Sequence, residues 1–150
     1  MQAEIDEQKL KKIHSLHATS GCPLDWAEWK RKVAQAYSEL IKIAKERGLI
    51  TYGELGTRVL RISHDSLYLE IGWIAGACSD YECIESRPLI SSLVVNKVSG
   101  KPGKGFWALE GIPAHLRICA SIGDWASYKI DLDQNEFWAK EVEKVYKQWR

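Results

Sequence analysis

Between Asp25 and Leu55 the chain spells out a long helix, its stop and the start of the next helix, and this sets the frame for everything before and after it. Trp26, Trp29, Val33, Tyr37, Leu40 and Ala44 recur at spacings of three and four, which lines one apolar face of a helix. Asp25 precedes the stripe with Glu28 three positions on, the spacing of a capping box. Lys45 and Arg47 complement the negative end of the helix dipole, and Gly48 is the residue type that ends helices. Thr51 then caps a second helix with Glu54 closing its box, while Ile50 and Leu55 stand where a hydrophobic staple needs them. A short helix to about Leu60 is expected.

Around this frame the signals are weaker. Residues 4–17 read as a helix through Leu10, Ile13 and His17; the stripe is thin, so residues 1–20 are expected to be a loosely docked arm. Ser63-His64-Asp65-Ser66 is a polar turn, and a helix over Leu67–Cys78 follows with Leu67, Ile71, Ile74 and Ala75 inward. Two short helices joined by a tight turn have the outline of a helix-turn-helix. Ser92–Lys97 has the β-branched, apolar content of a strand, Val98–Gly105 is a glycine-rich turn, and Phe106–Leu109 is the expected returning strand of a β-hairpin. Residues 111–131 carry mixed signals, with Ile118, Ala120 and Ile122 alternating. Asp133 and Glu136 then predict the start of a closing helix with Trp138, Val142, Val145 and Trp149 on its inner face. The expected architecture is one α+β domain over residues 1–150. It has a helical N-terminal half, a helix-turn-helix-like pair with a β-hairpin wing, and a C-terminal helix packed back on the long one.

With 45% hydrophobic and 27% charged residues among 150, the composition is that of an ordinary globular domain and excludes a largely disordered chain. No apolar run approaches the roughly 18 residues of a membrane helix, and the charged start MQAEIDEQKLKKI does not read as a signal peptide. The expectation is a cytoplasmic protein with no membrane partner. Four cysteines are too few for a disulfide framework at this length. The net charge of +1 excludes a protein held on nucleic acid by bulk charge alone. The charge is segregated, however. Residues 51–86 set only Arg58 and Arg61 against Glu54, Asp65, Glu70, Asp80, Glu82 and Glu85, whereas residues 87–109 hold Arg87, Lys97, Lys101 and Lys104 and no acid. A basic hairpin after a helix-turn-helix is placed to follow a phosphate backbone.

Three pieces in order carry a family resemblance: Gly48-Leu49-Ile50-Thr51-Tyr52-Gly53-Glu54-Leu55, then Ile71-Gly72-Trp73-Ile74-Ala75, then Arg87-Pro88-Leu89-Ile90 running into Val94-Val95 and Gly100. Over about residues 48–105 the chain resembles the winged-helix domain of the alkyltransferase-like proteins and O6-alkylguanine DNA alkyltransferases. The resemblance implies a DNA-binding scaffold in which a threonine-tyrosine segment opens one helix and a second helix enters the minor groove. Alkyl transfer does not come with it. Where the family has its proline-cysteine-histidine-arginine motif, this chain has Ser91-Ser92-Leu93-Val94-Val95, without the thiol nucleophile or its activating histidine. The family's base-stack arginine falls at about Leu69.

The expected function is therefore non-catalytic DNA binding, with Thr51 and Tyr52 at the helix entrance, Arg58, Arg61 and His64 around the turn, and Arg87, Lys97, Lys101 and Lys104 on the wing. The rival is a small protein-binding module, of the immunity, inhibitor or antidefence kind, that neutralises a basic partner such as a nuclease toxin. It would use Trp73 and Trp107 as anchors and Glu70, Asp80, Glu82 and Glu85 as its charged face. His14, His17, Cys22, Cys78 and Cys83 lack the tight knuckle spacing of structural zinc sites and read as ordinary side chains. No cofactor, metal or catalytic residue is expected.

Overall fold

The structure is a computed structural model. It describes residues 5–20, 22, 24–62, 67–118 and 129–150, with the side chains of residues 67–69 excepted. The elements in order are α1 (Glu7–Thr19), α2 (Trp26–Lys45), β1 (Ile50–Thr51), α3 (Tyr52–Glu54), α4 (Leu67–Ile84), β2 (Val94–Val95) and α5 (Leu132–Gln148). A π-helical turn, Leu55–Val59, prolongs α3, and 3-10 turns cover Ile90–Leu93 and Lys104–Ala108. The described residues are mostly helical with one small parallel sheet, an α+β arrangement. No described helix is long and apolar enough to cross a membrane.

The strong local signals translate directly. Asp25 caps α2 by accepting the Glu28 amide at 2.9 Å, and Thr51 caps α3 by accepting the Glu54 amide at 3.1 Å. Trp29, Val33, Tyr37, Leu40 and Ala44 are buried along α2, with Trp26 half-buried at its start. The central element is α4, apolar around most of its circumference, as a helix packed on several sides must be. Ile71, Ile74, Ala75, Ala77, Cys78 and Tyr81 are all buried there. It extends to Ile84, beyond the expected end at Cys78. Leu10 and Ile13 are only 2% exposed, so the thin stripe of α1 suffices to seat it. Its cap at Asp6 is tied to α4 by a 2.8 Å bond from the Asp6 amide to the Tyr81 hydroxyl.

The hairpin does not form. Val94–Val95 pairs in parallel with Ile50–Thr51, with Ile50 opposite Val94 and Thr51 opposite Val95. Phe106–Ala108 lies in a 3-10 turn instead of a returning strand. Two features explain this. Pro102 has no amide to donate to a ladder, and Phe106 and Trp107 turn sideways into a second core cluster with Leu89, Ile112 and Leu116. A tight loop remains: the Asn96 amide donates to the Lys101 carbonyl and the Gly100 amide to the Asn96 carbonyl, both at 2.8 Å.

The closing helix also starts elsewhere. Asp131 is the cap of α5 and Gln134 completes the box, two residues before the expected Asp133 and Glu136. The Gln134 side chain additionally donates to the Leu116 carbonyl at 3.1 Å. As expected, α5 packs back: Tyr146 donates to the Gly48 carbonyl and Trp138 to the Ser92 carbonyl, each at 2.8 Å.

Candidate nucleic-acid interface

The parallel pairing of β1 with β2 carries the chain from Thr51 on one strand and Val95 on the other into two adjacent segments, α3 and the basic loop 96–105. Tyr52 locks them together, its hydroxyl accepting the Gly103 amide at 2.9 Å. Burial pushes this phenol above the ordinary tyrosine range, with the Gly103 bond acting in the opposite sense. The Asn96 side chain accepts the Val98 amide at 2.9 Å and the Ser99 amide at 3.4 Å, an Asx-type closure of the loop. Gly100 takes the left-handed φ of 70° that glycine tolerates best.

The expected DNA-binding residues that the structure describes divide in three. Thr51, Tyr52, Lys97, Lys101 and Lys104 are gathered by this β1–β2 junction. Lys97 is exposed, and the Lys101 ammonium lies 4.2 Å from the Trp138 ring centre, its stem fixed by a cation–π contact. Arg58 and Arg61 are exposed at the far end of the same short helical segment. Arg87 is elsewhere in role: its guanidinium donates inward to Glu82 at 2.9 Å and to the Tyr37 hydroxyl at 3.0 Å. His64 lies outside the described residues.

The acids and rings of the rival surface are mostly engaged inside the fold. Trp107 and Glu82 are fully buried, so neither can anchor a partner. Glu70 holds the buried Lys32 at 2.8 Å, Asp80 holds His17 at 2.8 Å, and Glu85 pairs with Lys9. Trp73 is half-buried on the core with its ring 5.1 Å from that of His17.

Cys22 and Cys78 are buried and Cys83 is exposed, all as free thiols. Burial pushes the Cys78 thiol far above its ordinary range, with Glu82 and Asp80 adding in the same direction. His14 contacts the Leu24 carbonyl at 3.1 Å between Trp26 and Trp29. Among the described residues no three His, Cys, Asp or Glu converge as metal ligands.

No family model, curated protein or solved structure matches this chain. Sequence reading missed Lys32, 6% exposed between Glu28 and Glu70, and the Tyr37–Glu82–Arg87 triad. The only advance signal was the i,i+4 spacing of Glu28 and Lys32. Nothing local announces that Glu82 faces the core.

Proposed function

We propose that this protein is a non-catalytic DNA-binding module in which the basic loop 96–105 plays the part of a wing beside a helix-turn-helix-like pair, acting in the cytoplasm. One observation carries the reading. The acid-free loop with Lys97, Lys101 and Lys104 is tethered to the N-terminus of α3 by the Tyr52–Gly103 bond and the adjoining strand pair. Thr51 and the lysines thus belong to neighbouring segments, and ammonium groups grouped in this way contact phosphates in many DNA-binding folds. Lysines held on a short, internally bonded loop lose less side-chain and backbone freedom on binding than lysines on a slack one. The engagement of Glu70, Asp80, Glu82 and Glu85 by internal partners weighs against the basic-protein reading.

The test is titration of labelled duplex and single-stranded DNA at two salt concentrations, beside a Lys97→Ala, Lys101→Ala, Lys104→Ala variant. Three phosphate contacts give an expected log–log salt slope of about −2.7 from the loop alone. The variant should lose that share of the slope. No binding by the wild type at low salt, or an unchanged slope in the variant, would overturn the reading. A basic protein partner would then be sought through Trp73.

A further inference from the structure

The polar face of α2 and the end of the α3 segment enclose a surface groove of about 600 Å³. Arg31, Lys32, Arg58 and Arg61 line it together with one carboxylate, Glu28, which is paired with Lys32. The four cations are not equivalent. Lys32 is neutralised internally by Glu28 and Glu70, each at 2.8 Å. Among the described residues Arg31 has one polar contact, a long 3.4 Å bond to Gln35. Arg58 is 61% exposed and stands 3.8 Å from both Glu39 and Glu54, outside hydrogen-bond distance of either. Arg61 has no ion pair among the described residues, and it holds a left-handed φ of 53°.

That conformation sits where the α3 segment ends: the Leu60 amide donates to Leu55 and the Ile62 amide to Gly56, so Arg61 occupies the place glycine usually takes after a helix. The same backbone state occurs at Arg47, after α2. There the side chain is used inside the fold, bonding Glu143 at 3.1 Å and covering the Tyr146 ring. Among the described residues the Arg61 side chain has no such internal partner, and it lines the groove.

We infer that Arg31, Arg58 and Arg61 form an anion site for a phosphate group. Guanidinium forks match phosphate oxygens two at a time, and three of them line one groove. Among the described residues Arg58 is held only by long 3.8 Å ion pairs to Glu39 and Glu54 and Arg31 by a long bond to Gln35, which suits that chemistry. The inference rests on the DNA reading only for the source of the phosphate. Residues 52–60 separate this groove from the Tyr52–Gly103 tether by roughly 12 Å at helical rise. One strand places about three phosphates along that length of duplex axis, so one backbone can reach both loop and groove.

The test uses Arg31→Ala and Arg61→Gly, singly and together, in the full chain. Arg61→Gly is the informative substitution, because glycine suits the left-handed position and the melting temperature should hold or rise. Duplex affinity at low salt should fall about tenfold in the double variant and the salt slope by about 2. In parallel, inorganic phosphate and pyrophosphate are titrated into the wild type while the arginine side-chain NMR signals are followed. Shifts at Arg31 and Arg61 that vanish in the variants support the site. If wild type binds no DNA but these shifts occur, the DNA reading fails and the anion site stands with free phosphate compounds as its ligands. No shifts together with unchanged DNA affinity overturn the inference.

Discussion

Replacing Glu82 by leucine should destabilise the fold far more than any surface change, and the structure says why. Glu82 is 0% exposed on α4, and its Oε1 accepts from the Tyr37 hydroxyl, from Arg87 Nε at 3.1 Å and from Arg87 Nη2 at 2.9 Å. The Arg87 guanidinium also lies 5.5 Å from the Trp149 ring centre and 5.9 Å from that of Tyr81. Burial disfavours the Arg87 charge, but the bond to Glu82 and its negative charge more than offset this and raise the Arg87 pKa. Removing one partner of a buried pair costs about 3–5 kcal/mol, because the other charge is left uncompensated. The Arg87 side chain is 23% exposed and keeps some water, so Glu82→Leu should cost about 3 kcal/mol, the low end of that range. Tyr37→Phe removes two hydrogen bonds to charged groups, the one donated to Glu82 and the one accepted from Arg87, and should cost about 3 kcal/mol. The decisive variant is Glu82→Leu with Arg87→Met, which removes both charges and should be more stable than Glu82→Leu alone. Urea unfolding followed by tryptophan fluorescence measures all of these, with an unchanged m-value as the check on two-state behaviour. A loss below about 1 kcal/mol for Glu82→Leu, or additive losses in the double variant, would refute the argument.

Tyr52→Phe should leave the core intact yet free the Gly103 amide, a loss of about 1 kcal/mol that hydrogen exchange would register as roughly fivefold faster exchange at that amide. Unchanged exchange at Gly103 would mean the tether is not what holds the loop. Lys32→Met should cost about 2 kcal/mol by leaving the half-buried Glu70 without its cation, whereas Lys30→Met, on the exposed side of α2 with Glu7, should fall within about 0.5 kcal/mol of wild type in the same urea assay. Stability should decline on the alkaline side. The Cys22 and Cys78 thiols are raised chiefly by burial, and the Tyr37 phenol by burial and then by its bond to Glu82. The folded state therefore keeps protons that the unfolded chain releases, so their contribution is intact below the unfolded thiol pKa of about 8.5 and is lost as pH rises above it. Cys78→Ala should make that decline shallower between pH 8 and 10, and an unchanged slope would remove the thiol from the account.

Everything the sequence alone determined is local. The cap at Asp25, the stripe of α2 and the cap and staple from Ile50 to Leu55 relate residues no more than five positions apart, where helical geometry ties spacing to contact directly; the stop expected at Gly48 comes earlier, with α2 ending at Lys45 and Arg47 taking the left-handed position after it. The same reasoning named Thr51, Tyr52 and the loop lysines, because a charge run and a cap are visible without a fold. The capping box read for α5 was Asp133 with Glu136, but the helix starts two residues earlier at Asp131, where Gln134 closes the box and also reaches the distant carbonyl of Leu116. The partner of Val94–Val95 was likewise not readable, since either a hairpin or a parallel strand from residues 50–51 satisfies the same β-branched pattern. Trp107 and Glu82 looked like surface residues from their neighbours in the chain, yet tertiary packing buried both. A ring finds its cavity and a carboxylate finds its guanidinium and phenol only once helices far apart in sequence are in contact. The energy of burying a polar group depends on those partners and on the absence of water, neither of which sequence spacing encodes.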